Sequence, residues 1–116
     1  MSSSSFVNTS IVGGALVGQL DREKIGEYES PVVRGEIEAA APQAGWKVVL
    51  DLSEVRMVAS AGLGLFVTLN KICKDKGGKF AICNLDDTLT QVFEMTKLHR
   101  VMTIAPSTEA AVKAVS

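Results

Sequence analysis

The sequence has little of what would place a protein in most catalytic, metal-binding or membrane classes. It holds two cysteines and one histidine in 116 residues. Cys73 and Cys83 make no metal-ligand spacing, and read as small core hydrophobes whose thiols stay unpaired in a reducing compartment. An excess of charge of one sign is also missing. Twelve Lys and Arg stand against 13 Asp and Glu, for a net charge of −1, which argues against nucleic acid or an anionic membrane as the main partner. The uncharged run Val58 to Leu69 contains Ser60 and Thr68 and is well short of the ~18 apolar residues expected of a membrane span. No Lys or Arg precedes the apolar segment Ile11 to Gly18, which Gly13 and Gly14 interrupt, so a secretory signal is not expected. These absences leave a soluble, cytoplasmic protein that binds another protein or a small ligand. What is present is enough apolar material, 47% of residues, for one core. A chain of this length buries somewhat under ~70% of its unfolded surface, so two cores are excluded.

The chain is organised around Val48 to Leu69, VVLDLSEVRMVASAGLGLFVTL. Val48, Val49, Leu50 and Leu52 form a short apolar run of the kind found in strands covered on both faces. Ser53 to Val58 reads as a loop. From Ser60 onward, Ala61, Leu63, Leu65, Phe66, Val67 and Leu69 predict a helix that is apolar around most of its circumference and deeply buried, with Leu63, Phe66 and Val67 in the core. Ser60 is expected at the N-cap, where serine is favoured and the first N–H groups lack helical partners.

On either side of this centre the chain alternates. Met1 to Ser5 is serine-rich and expected to fray, leaving residues 6–116 as the domain. Phe6 to Val12 and Ala15 to Leu20 read as two strands joined by Gly13-Gly14 in a tight hairpin. Ser30-Pro31 predicts the N-cap and first position of a helix running to about Ala41, and Arg22 to Tyr28 a separate helical turn. Gly77-Gly78 closes the central helix, and Lys74 and Lys76 complement its negative end. Phe80 to Cys83 is a buried strand. Asp86 caps a helix Thr88 to Met95, Val101 to Ile104 is a strand, and Pro106-Ser107 opens a last helix through Val115. The order β-β-α-β-α-β-α-β-α predicts an α/β fold, an N-terminal β-hairpin followed by alternating helices and strands in a mixed sheet covered by helices.

The run DLSEVRMVASAGLG, Asp51 to Gly64, resembles the phosphorylation loop of STAS domains, the family of bacterial anti-sigma factor antagonists and of the cytoplasmic tails of sulfate transporters. That pattern is a strand ending in D-L-S, a hydrophobic loop, then D-S-S-G-L-G or D-S-T-G-L-G, whose first hydroxyl residue accepts phosphate. Here the acceptor position is Ser60, with Ala59 in place of the aspartate and Ala61 in place of the second hydroxyl. Gly18-Gln19-Leu20-Asp21 resembles the G-x-L-D element closing the family's second strand, and Gly77 to Ile104 is similar to its C-terminal half. The resemblance implies a STAS-like domain that switches partners and has no catalytic, metal or cofactor site of its own. Unmodified, it would dock to an anti-sigma factor serine kinase, which itself binds ATP and Mg²⁺, through Asp21, Ser53, Glu54, Arg56, Met57, Ser60 and Gly62. Phosphorylation of Ser60 would release it and a phosphatase would reset it, with no direct contact to nucleic acid. The alternative is a non-phosphorylated STAS scaffold, or a ligand-binding subunit of a signalling assembly or transporter complex.

Catalytic readings of the same residues are weaker. Val58-Ala59-Ser60-Ala61-Gly62 lacks the first glycine of a hydrolase nucleophile elbow, and a triad would need His99 to reach Ser60. Gly62-Leu63-Gly64 is followed by Val67 where a dinucleotide fingerprint has its third glycine, and Gly13 to Gly18 has the spacing of a P-loop without its Lys and hydroxyl residue.

Overall fold

Gly13 and Gly14 adopt φ of 57° and 82°, the left-handed pair that a two-residue hairpin turn requires. In the computed structural model, which describes residues 6–116, they join β1 (Val7–Val12) to β2 (Ala15–Leu20), with Val12 opposite Ala15. The fraying expected of Met1 to Ser5 lies outside the described residues. β2 then pairs in parallel with β4 (Lys47–Asp51), β4 with β6 (Lys79–Cys83), and β6 with β7 (Thr103–Ala105). The result is a mixed five-stranded sheet in the order β1-β2-β4-β6-β7.

Strand alternation divides the apolar residues into two layers. Leu16, Leu20, Val48, Leu50, Phe80 and Ile82 face α1 (Glu29–Ala40), α2 (Ser60–Asp75) and α3 (Asp87–Met95), and with Val33, Ile37, Phe66, Leu69, Leu89 and Phe93 they form the larger core. The opposite face presents Ala15, Val17, Val49, Ala81, Cys83 and Ala105 to α4 (Thr108–Val115) and is closed by Ala111 and Val115. Small side chains dominate there, which lets a single helix of eight residues lie close to the strands.

One cap is as the sequence predicts: Asp86 accepts from the Leu89 N–H at 2.8 Å. The last helix, expected to open at Pro106-Ser107, begins at Thr108, and Ser107 is its N-cap, accepting from the Ala110 N–H at 3.1 Å. Elsewhere the structure corrects the expectations. Helix α1 begins at Glu29, and Ser30 lies inside its first turn, donating its hydroxyl to the Gly26 carbonyl at 2.7 Å. The Glu29 carboxylate accepts from the Gly26 N–H at 3.0 Å, a local bond that draws the helix start two residues forward. Arg22 to Tyr28 is not helical; it contains β3 (Lys24–Ile25), which pairs in parallel with β5 (Met57–Val58) inside the segment expected to be a plain loop. Helix α2 is not buried all round. Gly62, Leu65, Phe66, Leu69 and Cys73 face inward, but Leu63 is half-buried and Val67 is 37% exposed, on a stripe with Gly64 and Lys71. The last strand starts at Thr103, because Leu98–Arg100 forms a 3₁₀ turn that leaves Val101 outside the sheet.

Candidate functional site

Parallel strands bring their C-terminal ends to one edge of the sheet, and loops gather there. Asp21 follows β2 on this edge, with its N–H donating to the Phe6 carbonyl at 2.8 Å. Its neighbour Arg22 lays its guanidinium 3.9 Å from the centre of the Phe6 ring. The segment after β4 is anchored from below. Asp51 Oδ1 accepts from the Ser53 N–H at 2.9 Å and from Asn84 Nδ2 at 3.0 Å, while Ser53 Oγ accepts from Gln19 Nε2 at 3.4 Å. Asn84 also donates to Thr108 Oγ1 at 3.1 Å and holds φ of 62°, a conformation asparagine tolerates better than most residues. Leu52 and Val55 are fully buried and pin the loop to the core.

Above these anchors the loop is zipped to the chain after β2. The N–H groups of Arg56 and Met57 both donate to the Glu23 carbonyl, at 2.7 and 3.0 Å, and that of Ala59 donates to the Ile25 carbonyl at 3.0 Å. Arg56 further approaches Asp86 Oδ2 at 3.8 Å, an exposed pair worth at most ~1 kcal/mol. Pinned in this way, the loop presents Glu54, Arg56 and Met57 outward, and Met57 is 57% exposed. Asp21, Arg22, Glu23 and Glu54 line a shallow hollow of about 260 Å³.

Ser60 is exposed at the first position of α2, not at its N-cap. The N-cap is Ala59, at φ −83° and ψ 175°, whose methyl group can accept no hydrogen bond. The departure from the D-S pattern therefore falls on the cap itself. It leaves the helix start without a side-chain acceptor, and the hydroxyl of Ser60 sits where backbone N–H groups and the helix dipole favour negative charge.

The structure thus places Asp21, Ser53, Glu54, Arg56, Met57 and Ser60 at one edge of the sheet. Asp21 and Glu54 share a hollow, whereas Asp21 and Ser60 have no hydrogen bond or ion pair between them. Gly62 is the exception. It is buried, and a Cβ there would stand 2.5 Å from the Ile25 carbonyl oxygen and 2.7 Å from Val58 Cγ1, so it works by close packing of α2 on β3 and β5 rather than at the surface. The sequence did not point to a second hollow, of about 310 Å³, between the first turns of α1 and α2, lined by Glu27, Ser30, Arg34, Ala61, Leu65 and Thr68 among others. Nor did it point to the Asp51–Asn84–Thr108 bracket, whose only sequence signal is an asparagine directly after a strand.

His99 is remote from this edge. Its Nδ1 lies 3.2 Å from the Phe93 carbonyl, and the ring lines a groove at the beginnings of β6 and β7, so a Ser60–His99 couple does not form. Both thiols are buried, and burial pushes Cys73 up to about 11. Among the described residues no group of three or more His, Cys, Asp or Glu could hold a metal ion, and no helix is long and apolar enough to cross a membrane.

Residues 4–111 match the STAS domain family. The chain is 32% identical over 90 residues to the anti-sigma-B factor antagonist of Bacillus subtilis, covering 78% of this chain and 82% of that one. It is 27% identical over 92 residues to the anti-sigma F factor antagonist of Paenibacillus polymyxa, covering 78% of each. Among solved structures, an anti-sigma-factor antagonist (STAS) domain protein from Planctomyces limnophilus superimposes with a TM-score of 0.82 at 22% identity, over 93% of this chain and 96% of that one.

Proposed function

The chain belongs to the STAS domain family, and on that premise we propose that it is an anti-sigma factor antagonist switched by phosphorylation of Ser60. The observation that carries this reading is the placement of Ser60, an exposed hydroxyl at the first position of a helix and beside a loop fixed by backbone pairing. Its partner is an anti-sigma factor serine kinase, which brings its own ATP and Mg²⁺. Unmodified, the protein docks through Asp21, Ser53, Glu54, Arg56, Met57 and Ser60, with the exposed Met57 as the apolar contact. A phosphate on Ser60 adds about −1.5 to −2 charges at pH 7 and disrupts a contact formed around a neutral hydroxyl. A phosphatase restores the docking form. The setting for this exchange is the cytoplasm.

A second reading, a STAS scaffold or ligand-binding subunit that is not phosphorylated, is favoured by Ala59, which leaves the acceptor without the carboxylate neighbour of the family pattern. The two separate cleanly. The protein is incubated with ATP and its cognate kinase, and intact mass is measured for the parent and for Ser60→Ala. One phosphate on the parent and none on the variant is expected. Because Ser60 is not the cap, Ser60→Ala should change stability by no more than about 0.5 kcal/mol. Calorimetry should then show Ser60→Ala binding the kinase like the parent, and Ser60→Asp binding more weakly although it folds. Equal affinity for all three, or phosphate persisting on Ser60→Ala, removes Ser60 from the mechanism.

A further inference from the structure

At the end of the sheet opposite Ser60, the second half of α2, the turn Leu98–Arg100, the starts of β6 and β7 and the end of α4 surround an open groove of about 690 Å³. Its ionisable lining consists of Lys74, Lys79, His99 and Arg100, with no carboxylate. In a chain with 13 acidic and 12 basic residues that is a local segregation of charge. Other cations nearby are engaged by the fold: Lys71 pairs with Asp75 at 3.1 Å, and Lys76 lies 5.7 Å from the centre of the Trp46 ring. Lys74, Lys79 and Arg100 are exposed and take part in no ion pair among the described residues. The dipole of α2 accounts for Lys74. It does not account for Lys79, which opens a strand, or for Arg100, which ends a three-residue turn.

Beside these cations runs an apolar wall of Val101, 53% exposed, with Ile104 and Ala114. The wall is held in place. Asn70 Nδ2 donates to the Val101 carbonyl at 3.2 Å, and His99 Nδ1, facing a carbonyl that can only accept, donates to Phe93 at 3.2 Å. The groove is therefore formed before any ligand arrives, and its volume falls in the ~300–1,000 Å³ range of small-ligand clefts. Lysine supplies point charges and arginine a fork suited to phosphate oxygens, while Val101, Ile104 and Ala114 offer contact to a hydrocarbon or ring. We propose that this groove binds a small phosphate monoester carried on an apolar group, with the phosphate between Lys79 and Arg100 and the apolar part against Val101 and Ile104.

The test is a calorimetric titration of the full chain at low salt with 1-naphthyl phosphate, with inorganic phosphate and 1-naphthol in parallel. The ester should bind about tenfold or more tighter than either fragment, because only it meets both halves of the site. The double variant Lys79→Glu, Arg100→Glu should lose about tenfold or more of that affinity, whereas Lys97→Glu, outside the groove, should not. Ester binding no tighter than that of inorganic phosphate would overturn the proposal, as would retention of binding by the double variant or an equal loss in Lys97→Glu. Amide shifts in the parent make the same test without any substitution. Perturbations should centre on residues 78–80 and 99–104, and a pattern centred elsewhere refutes the site.

Discussion

Replacing Ala59 with aspartate should stabilise the protein, and the reference for this change is within the same molecule. Ala59 and Asp86 both occupy N-caps, with φ and ψ of −83° and 175° against −74° and 176°. At Asp86 the carboxylate accepts from the N–H three residues on at 2.8 Å; at Ala59 nothing does. An aspartate at 59 needs no backbone change to make the equivalent bond to Gly62. Capping aspartates are worth typically ~1 kcal/mol over alanine, within a range of about 0.5–2. For a domain of this size that corresponds to a rise of roughly 3–6 °C in melting temperature. Urea unfolding followed by circular dichroism should show a higher midpoint with an unchanged slope. The gain should depend on pH in a definite direction. A carboxylate bonded to N–H groups in the folded state titrates below its unfolded value of ~3.9. The charge-assisted part is therefore present above that value and is lost as pH falls through the folded one. Ala59→Asn supplies the acceptor without the charge and should keep its gain in acid. An unchanged or lowered midpoint for Ala59→Asp at neutral pH would show that the start of α2 is not an uncapped helix end.

Three further outcomes follow from the packing. Phe66→Ala empties a fully buried site whose ring stacks 6.2 Å from that of Phe93, and should cost about 3–5 kcal/mol of a total of ~5–15, measurable by denaturant unfolding. The two glycines of α2 should respond oppositely. Gly62→Ala drives a Cβ to 2.5 Å from the Ile25 carbonyl and should destabilise by roughly 1–3 kcal/mol, whereas Gly64→Ala, with open space around it, should gain up to ~1 kcal/mol of helix propensity. Burial raises the Cys73 thiol from 9.0 to about 11, and Cys83 is raised for the same reason. The folded thiols keep protons that the unfolded chain gives up, so stability should be full below about pH 9 and fall as pH rises towards 11. Cys73→Ala should flatten that alkaline slope, and native-state labelling of either thiol should be slow.

The features legible in the sequence were those with a local cause. Gly13-Gly14 announced a hairpin because a tight turn needs positive φ, and Asp86 and Ser107 announced helix starts because their side chains bond backbone three residues away. The misreadings arose where the cause lay elsewhere in the chain. Ser30-Pro31 carried a good start signal, but Glu29 reaching back to Gly26 moved the start forward. β3 and β5 are two residues each, too short to show a period, and exist only because they pair with one another. Val67 is as apolar as Leu69, and composition cannot say which side of a helix has a neighbour. The edge that carries Ser60 was legible as a motif. Its cap was misplaced by one residue because alanine at 59 gives no cap signal and the nearest serine does.

Helix α2 spans 16 residues, so at 1.5 Å per residue its two ends lie about 24 Å apart. Salt at physiological strength screens charge beyond about 8 Å. A phosphate at Ser60 is thus largely screened at Lys74, and a phosphate ester in the groove beside Lys74 is equally screened at Ser60. On the two proposals made above, the helix is a spacer between two addresses, each open to its own occupant without competition from the other. The chain has room to act as an adaptor that holds both at once.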